Sequence, residues 1–282
     1  MFEQDVVKGE YILGYILALL GLSWSLVALV ASGLLSFFWL TLLPFIPGLA
    51  AFLFLSLEGH PVEVHARPLL ARVTVPSVLV AVAYPLLLVG LAALVALGTG
   101  LGYLKPGETG TGFAAMLAIG GVAFLSAIPA SLGQEYGYRG YLFPALVYWQ
   151  GRTMATLSVG VVWGLATAPV SYLVLSVTGS DDPLALALLG FLLVVAVSFA
   201  FSFCASLSAS ILPVTLMNVL LLTVVPAVFP ASWDPRMPAA GGLIGVTWPS
   251  PLPLLLFVAL AFVPVFLWLF GEMDGEVVGD GL

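Results

Sequence analysis

The chain has 282 residues, 62% of them hydrophobic and 7% charged, with a formal net charge of −7 and a mean hydropathy of +1.19. So few polar side chains cannot cover the surface of a soluble domain of this length, which excludes that class. The acidic balance excludes the basic face that nucleic-acid binding requires. A single cysteine, Cys204, excludes an intramolecular disulfide and reads as a small buried residue.

Apolar runs of about 20 residues, the length that crosses a bilayer, fall at 11–31, 34–57, 74–98, 113–133, 152–176, 183–207, 209–230 and 252–271. They predict an all-α, polytopic integral membrane protein of about eight transmembrane helices, with residues 1–282 forming one membrane domain and the lipid bilayer as its first partner. The first ten residues carry Glu3, Asp5 and Glu10 against Lys8. A cleavable signal peptide has a basic start, so the first span is expected to be retained. Between the second and third runs, 58–73 is the most polar connector and reads as a solvated loop. His60 and His65 flank Glu63 there, a pattern that raises a metal site as the less favoured reading. No metal and no cofactor is expected. Further on, 99–112 is glycine-rich and 231–251 is rich in proline and glycine, with Trp233 and Trp248 placed as an aromatic belt at the membrane surface.

Lys and Arg accumulate on the cytoplasmic side of membrane proteins. With eight spans, Lys8, Arg67, Arg72, Arg139 and Arg152 fall on one side, and Lys105 and Arg236 on the other, beside Glu108, Asp181, Asp182 and Asp234. Both termini are therefore expected to face the cytoplasm of a cell whose plasma membrane holds the protein, with 134–151 read as a segment on that side. Acid surplus and low lysine also fit a chain adapted to high salt, on composition alone.

The chemistry concentrates in Gly133-Gln134-Glu135-Tyr136-Gly137-Tyr138-Arg139-Gly140-Tyr141-Leu142. Charge at mid-bilayer costs roughly 2.5–3.5 kcal/mol per residue on insertion scales, so an intramembrane Glu and Arg mark a candidate site. Glu135 and Arg139 are four residues apart, on one helical face where they can neutralise each other. Gln134 points about 100° away. Small residues also recur every fourth position, in Ser198, Ser202, Ser206 and Ser210, in Gly133 with Gly137 and in Gly160 with Gly164. That spacing lets helix backbones approach closely. Pro129, Pro144, Pro169 and Pro213 break helices near the polar segments, and backbone groups freed at membrane depth are tolerated only inside protein or against a cavity.

Residues 131–144 resemble the first motif of the CPBP family of intramembrane proteases, which includes the type II CAAX prenyl endopeptidases and bacteriocin-processing and self-immunity proteins. That motif is EExxxR followed by Gly-Tyr-Leu, and Gln134, Glu135 and Arg139 occupy its three named positions. Trp163-Gly164-Leu165-Ala166-Thr167-Ala168-Pro169 resembles the second motif, an aromatic residue with a histidine four positions on and a proline beyond. Residues 210–218, ending in Asn218, resemble the third, which ends in a histidine followed four residues later by Asn or Asp. The resemblance implies a CPBP-like bundle with its motif core at about 113–230, and a site of Gln134, Glu135, Arg139, Thr167, Asn218 and Leu222.

Four of those six positions depart from the motifs. The first glutamate, which the resemblance implies activates the attacking water, is Gln134, and an amide takes no proton at any working pH. Thr167 and Asn218 replace the two histidines and Leu222 the last polar residue. Thr167 and Asn218 can each donate a hydrogen bond, but neither carries a proton as imidazole does. The spans hold no histidine, so a zinc site with three protein ligands is not available there. The leading reading is a pseudoprotease that binds a hydrophobic or lipidated protein segment, or a partner membrane protein, without cleaving it. The next is an active CAAX-type endopeptidase in which Glu135 replaces the missing base, although Glu135 lies one residue and about 100° from that position. A small transporter or a structural membrane subunit follows. Glu135, Thr167 and Asn218 are expected to come from three helices onto one polar cavity.

Overall fold

The computed structural model describes residues 9–104, 112–229, 243–247 and 250–279. In chain order they form α1 (Gly9–Ala31), a 3₁₀ segment (Phe37–Phe45), α2 (Ile46–Leu57), α3 (Val62–Leu70), α4 (Val75–Gly98), β1 (Gly102–Leu104), α5 (Gly112–Glu135), a π-helical segment (Tyr136–Leu142), α6 (Phe143–Val177), α7 (Pro183–Ser206), α8 (Leu212–Val228), β2 (Ile244–Val246) and α9 (Leu252–Gly279). The protein is an all-α polytopic membrane protein. Among the described residues, six helical stretches are long and apolar enough to cross a bilayer: Gly9–Ala31, Phe37–Leu57, Val75–Gly98, Gly121–Val177, Pro183–Ser206 and Leu252–Asp274.

The 57-residue stretch Gly121–Val177 takes in the expected run 152–176 and the latter part of 113–133. Gly151 interrupts it at φ 76°, ψ 168°, a backbone conformation open to glycine alone. A straight helix would hold Arg139 and Trp163 about 36 Å apart, yet the Arg139 guanidinium lies 4.5 Å from the centre of the Trp163 ring. The chain therefore doubles back at Gly151. Beside the bend, Arg152 is ion-paired with Asp274 of α9. The expected run at 209–230 is α8, whose 17 residues rise about 26 Å, slightly less than a hydrocarbon core of about 30 Å.

One segment differs from its expected form. Residues 58–73 are not a loop throughout, because α3 occupies Val62–Leu70. Its register is set by the neighbours it binds: the Tyr136 hydroxyl donates to the His65 carbonyl at 2.9 Å, and the Ile211 amide donates to the Pro68 carbonyl at 2.9 Å. Residues 134–150 are helical, as the placing of Glu135 and Arg139 on one helical face requires, with α5 widening into the π segment and continuing as α6. Trp233, Trp248, Lys8, Lys105, Glu108, Asp234 and Arg236, which carried the belt and much of the orientation reading, lie outside the described residues.

Two helix starts follow local capping chemistry. The Asp182 carboxylate accepts from the Ala185 amide at 3.0 Å with Pro183 next in line. Thr74 caps α4 by accepting from the Ser77 amide at 3.4 Å, and its hydroxyl donates to the Leu207 carbonyl at 2.8 Å. β1 and β2 pair antiparallel, Tyr103 opposite Gly245. The core is one large cluster, in which α6 packs most extensively on α7, and a small second one of Val27, Val30, Leu40 and Val170 where α1, the 3₁₀ segment and α6 meet.

Close backbone approach positions the motif segment. A Cβ on Gly48 would lie 2.6 Å from the Gly133 carbonyl oxygen, and one on Gly137 would lie 2.3 Å from the Pro47 carbonyl carbon. The start of α2 thus lies directly on the end of α5 and the π segment. The three atoms nearest a Cβ on Gly137 are the carbonyl carbon, carbonyl oxygen and ring Cβ of Pro47, with no rotamer to yield, so Gly137→Ala is expected to destabilise by about 1–3 kcal/mol through overpacking. Gly121→Ala is the control, since nothing lies within 4 Å of the added carbon. Equal thermal midpoints for the two variants in mild detergent would contradict this contact.

Candidate functional site

Glu135 closes α5 and Arg139 sits in the π segment, where the helix widens so that the Phe143 amide reaches back to the Tyr138 carbonyl. π segments are rare and recur at functional sites. The expected pairing across one turn is present. Arg139 Nη1 lies 3.3 Å from Glu135 Oε2, and both side chains are fully buried. An ion pair this deep holds only when further partners satisfy it. Asn218 Nδ2 of α8 donates to Glu135 Oε1 at 3.0 Å. Arg139 Nη2 donates to Ser198 Oγ of α7 at 3.1 Å, and that hydroxyl donates onward to the Thr156 carbonyl of α6 at 3.3 Å. The guanidinium is boxed by the rings of Trp163, Phe201 and Tyr138 at 4.5, 5.0 and 5.7 Å from their centres, each a favourable place for a desolvated cation.

Ser198 lies eight residues before the end of α7 and Asn218 six after the start of α8, roughly 12 and 9 Å along each helix. The network is therefore inside the bundle, towards the end that carries α3. It joins α5, the π segment, α6, α7 and α8 through one pair of opposite charges.

A separate pocket lies on the other side of the motif helix. Gln134 and Tyr138 form one wall, Leu43 and Pro44 of the 3₁₀ segment a second, and Trp163 and Thr167 of α6 a third. The space leaves about 40 Å³ for the centre of a water-sized molecule, room for about three waters. Among its lining residues only Leu43 and Thr167 are half-buried rather than buried, and they mark the mouth. Beside them Leu42 and Leu165 are exposed.

The six motif positions are thus divided rather than gathered on one polar cavity. Gln134 and Thr167 face the pocket, which is mainly apolar, whereas Glu135, Arg139 and Asn218 form the buried network behind it. Thr167 Oγ1 donates within its own helix, to the Trp163 carbonyl at 3.0 Å. Leu222 lies one turn beyond Asn218, buried in the apolar core. The division follows from helix geometry: consecutive residues Gln134 and Glu135 project about 100° apart, so one faces α6 and the 3₁₀ segment and the other faces α8.

The histidines of the 58–73 connector have separate partners. His60 Nε2 is 3.0 Å from Glu58 Oε2, while the Tyr141 hydroxyl donates to Glu58 Oε1 at 2.7 Å. His65 is buried, not solvated, with its ring centre 4.7 Å from that of Phe52. Among the described residues no group of three His, Cys, Asp or Glu side chains is placed to hold a metal ion.

Sequence reasoning missed Ser198 and Glu58 as partners of the motif. Ser198 belongs to a serine series at helix-packing spacing, a signal that marks close approach but names no partner. Gly160, whose added Cβ would lie 3.0 Å from Ser198 Cβ, is the contact that brings α7 near enough for the hydroxyl to reach Arg139.

Compared with known proteins, residues 113–222 match the Rce1-like family model, described as "Type II CAAX prenyl endopeptidase Rce1-like". No curated protein matches the chain. The matched span contains all three motifs in order and every member of the buried network, and over residues 113–222 the chain is similar to that family of endopeptidases.

Proposed function

We propose that this CAAX protease-like membrane protein is a pseudoprotease, which uses the pocket beside Gln134 to receive one small apolar group of a hydrophobic or lipidated protein segment lying across its mouth, without cleaving the segment. The observation that carries this reading is the commitment of Glu135. Its carboxylate is tied to Arg139 and Asn218 and fully buried away from the pocket, while the pocket side of the motif presents an amide, Gln134. No carboxylate or imidazole is among the residues lining the pocket, so a carbonyl held there meets hydrogen-bonding groups and no general base. The mouth between Leu43 and Thr167, with exposed Leu42 and Leu165 beside it, suits a ligand arriving from the acyl chains.

The test is photo-crosslinking with the protein in lipid vesicles. A photoreactive amino acid in place of Thr167 should label an added membrane-inserted, prenylated peptide, and the peptide should be recovered at full length. The same residue in place of Leu79, which is 64% exposed on α4, should not label above the bare-lipid level. Equal labelling at both sites would remove the pocket from the reading, and recovery of a shortened peptide would remove the non-cleaving part.

A further inference from the structure

We propose that the outward face of α3 and the residues leading into α4 hold the headgroup phosphate of an anionic phospholipid. α3 is fixed to the bundle through His65, Pro68 and the Tyr136 hydroxyl, which leaves its opposite face outward. That face carries Arg67 and, three residues later, Leu70 at 82% exposure. Arg72 follows, exposed, and then Val73 and Val75 at 38% and 73% exposure. Val75 is the first residue of the apolar span Val75–Gly98. The strip therefore lies where a span leaves the hydrocarbon, with apolar side chains set to enter acyl chains and guanidiniums set at headgroup level.

The charges point to the occupant. Arg139 and Arg152 are ion-paired, but Arg67 and Arg72 form no ion pair among the described residues. Two guanidiniums five positions apart, separated by an exposed leucine, fit a phosphodiester oxygen pair better than they fit each other. The pairing is local, since the chain as a whole carries −7 and would repel an anionic surface elsewhere. Glu63, exposed one helical turn before Arg67, opposes the site and provides its internal control.

The experiment uses the full chain in phosphatidylcholine vesicles with spin-labelled phosphatidylglycerol or spin-labelled phosphatidylcholine as the probe, reading the motionally restricted fraction. The anionic lipid should be preferred, by up to roughly thirtyfold at low salt for two basic residues at the surface. The preference should fall towards one in Arg67→Gln/Arg72→Gln and rise in Glu63→Gln. Three outcomes would overturn the proposal: equal restriction of the two lipids, a preference unchanged in the double variant, or displacement of the labelled lipid by millimolar inorganic phosphate, which would make the site one for a free anion. If the double variant fails to fold, Glu63→Gln alone decides, because an unchanged or lowered preference there is equally incompatible with the site.

Discussion

Purified and reconstituted in lipid, the protein is expected to leave intact the prenylated peptides that a CPBP protease with complete motifs cleaves under the same conditions. General-base assistance contributes about 10²–10⁴-fold in rate, and an aimed oxyanion donor another 10²–10³-fold. Gln134 supplies no base. The groups at the two histidine positions are engaged elsewhere, Thr167 with the Trp163 carbonyl of its own helix and Asn218 with Glu135. Their joint effect should leave turnover at background.

Gln134→Glu by itself is not expected to restore cleavage, because the added carboxylate would still face a pocket without an imidazole. Recovery is expected only once Thr167→His is added, since Thr167 faces the same pocket, whereas Asn218→His would lie in the buried network behind it. The measurement is product formation by mass spectrometry over hours, for the native chain and these variants. Cleavage by the native chain that disappears in Glu135→Gln would overturn the pseudoprotease reading in favour of a protease that uses Glu135. Cleavage that survives Glu135→Gln would equally end it, by requiring a base outside the motif.

The second large effect is expected at Arg139. Arg139→Ala leaves Glu135 fully buried without its counter-charge, Asn218 still donating to it. Breaking a buried pair by removing one partner costs about 3–5 kcal/mol, whereas replacing both charges by neutral groups of similar size is often nearly neutral. Arg139→Ala should therefore sharply lower folded yield and thermal midpoint in mild detergent, and Glu135→Gln/Arg139→Gln should recover part of both. Ser198→Ala removes one acceptor from the guanidinium while leaving the ion pair, and should cost less, about 1–3 kcal/mol. Single and double charge variants behaving alike would mean that the pair is incidental to folding.

Some of this arrangement was legible along the chain. Apolar runs near 20 residues predicted the membrane class because a bilayer demands that length whatever the neighbouring helices do. The Glu135–Arg139 pair followed from four-residue spacing, a property of one helix that tertiary packing needs only to preserve. The same local geometry turned Gln134 away from Glu135. Motif order along the chain pointed to the family, and the match over residues 113–222 falls on that stretch.

Other features have no local signal. Residues 58–73 read as a loop because their composition is polar, but α3 is held by bonds from Tyr136 and Ile211, far away in sequence. Gly151 was one glycine among thirty, and only its positive φ makes it the point where the chain doubles back to bring Trp163 under Arg139.

By itself, then, the sequence determined an all-α membrane protein, the positions of its apolar runs, the degenerate motif set and the pairing of Glu135 with Arg139, since each depends on residue type and on spacing within one helix. The tertiary structure alone decided that Asn218 and Ser198 bond to the buried pair, and that Gln134 and Thr167 face a different, apolar pocket. Which helix faces which side chain depends on inter-helix register, which is fixed for α2 against the motif helix by backbones meeting at Gly48 with Gly133 and at Pro47 with Gly137. Such contacts join residues about 90 positions apart, and no periodicity along the chain encodes them.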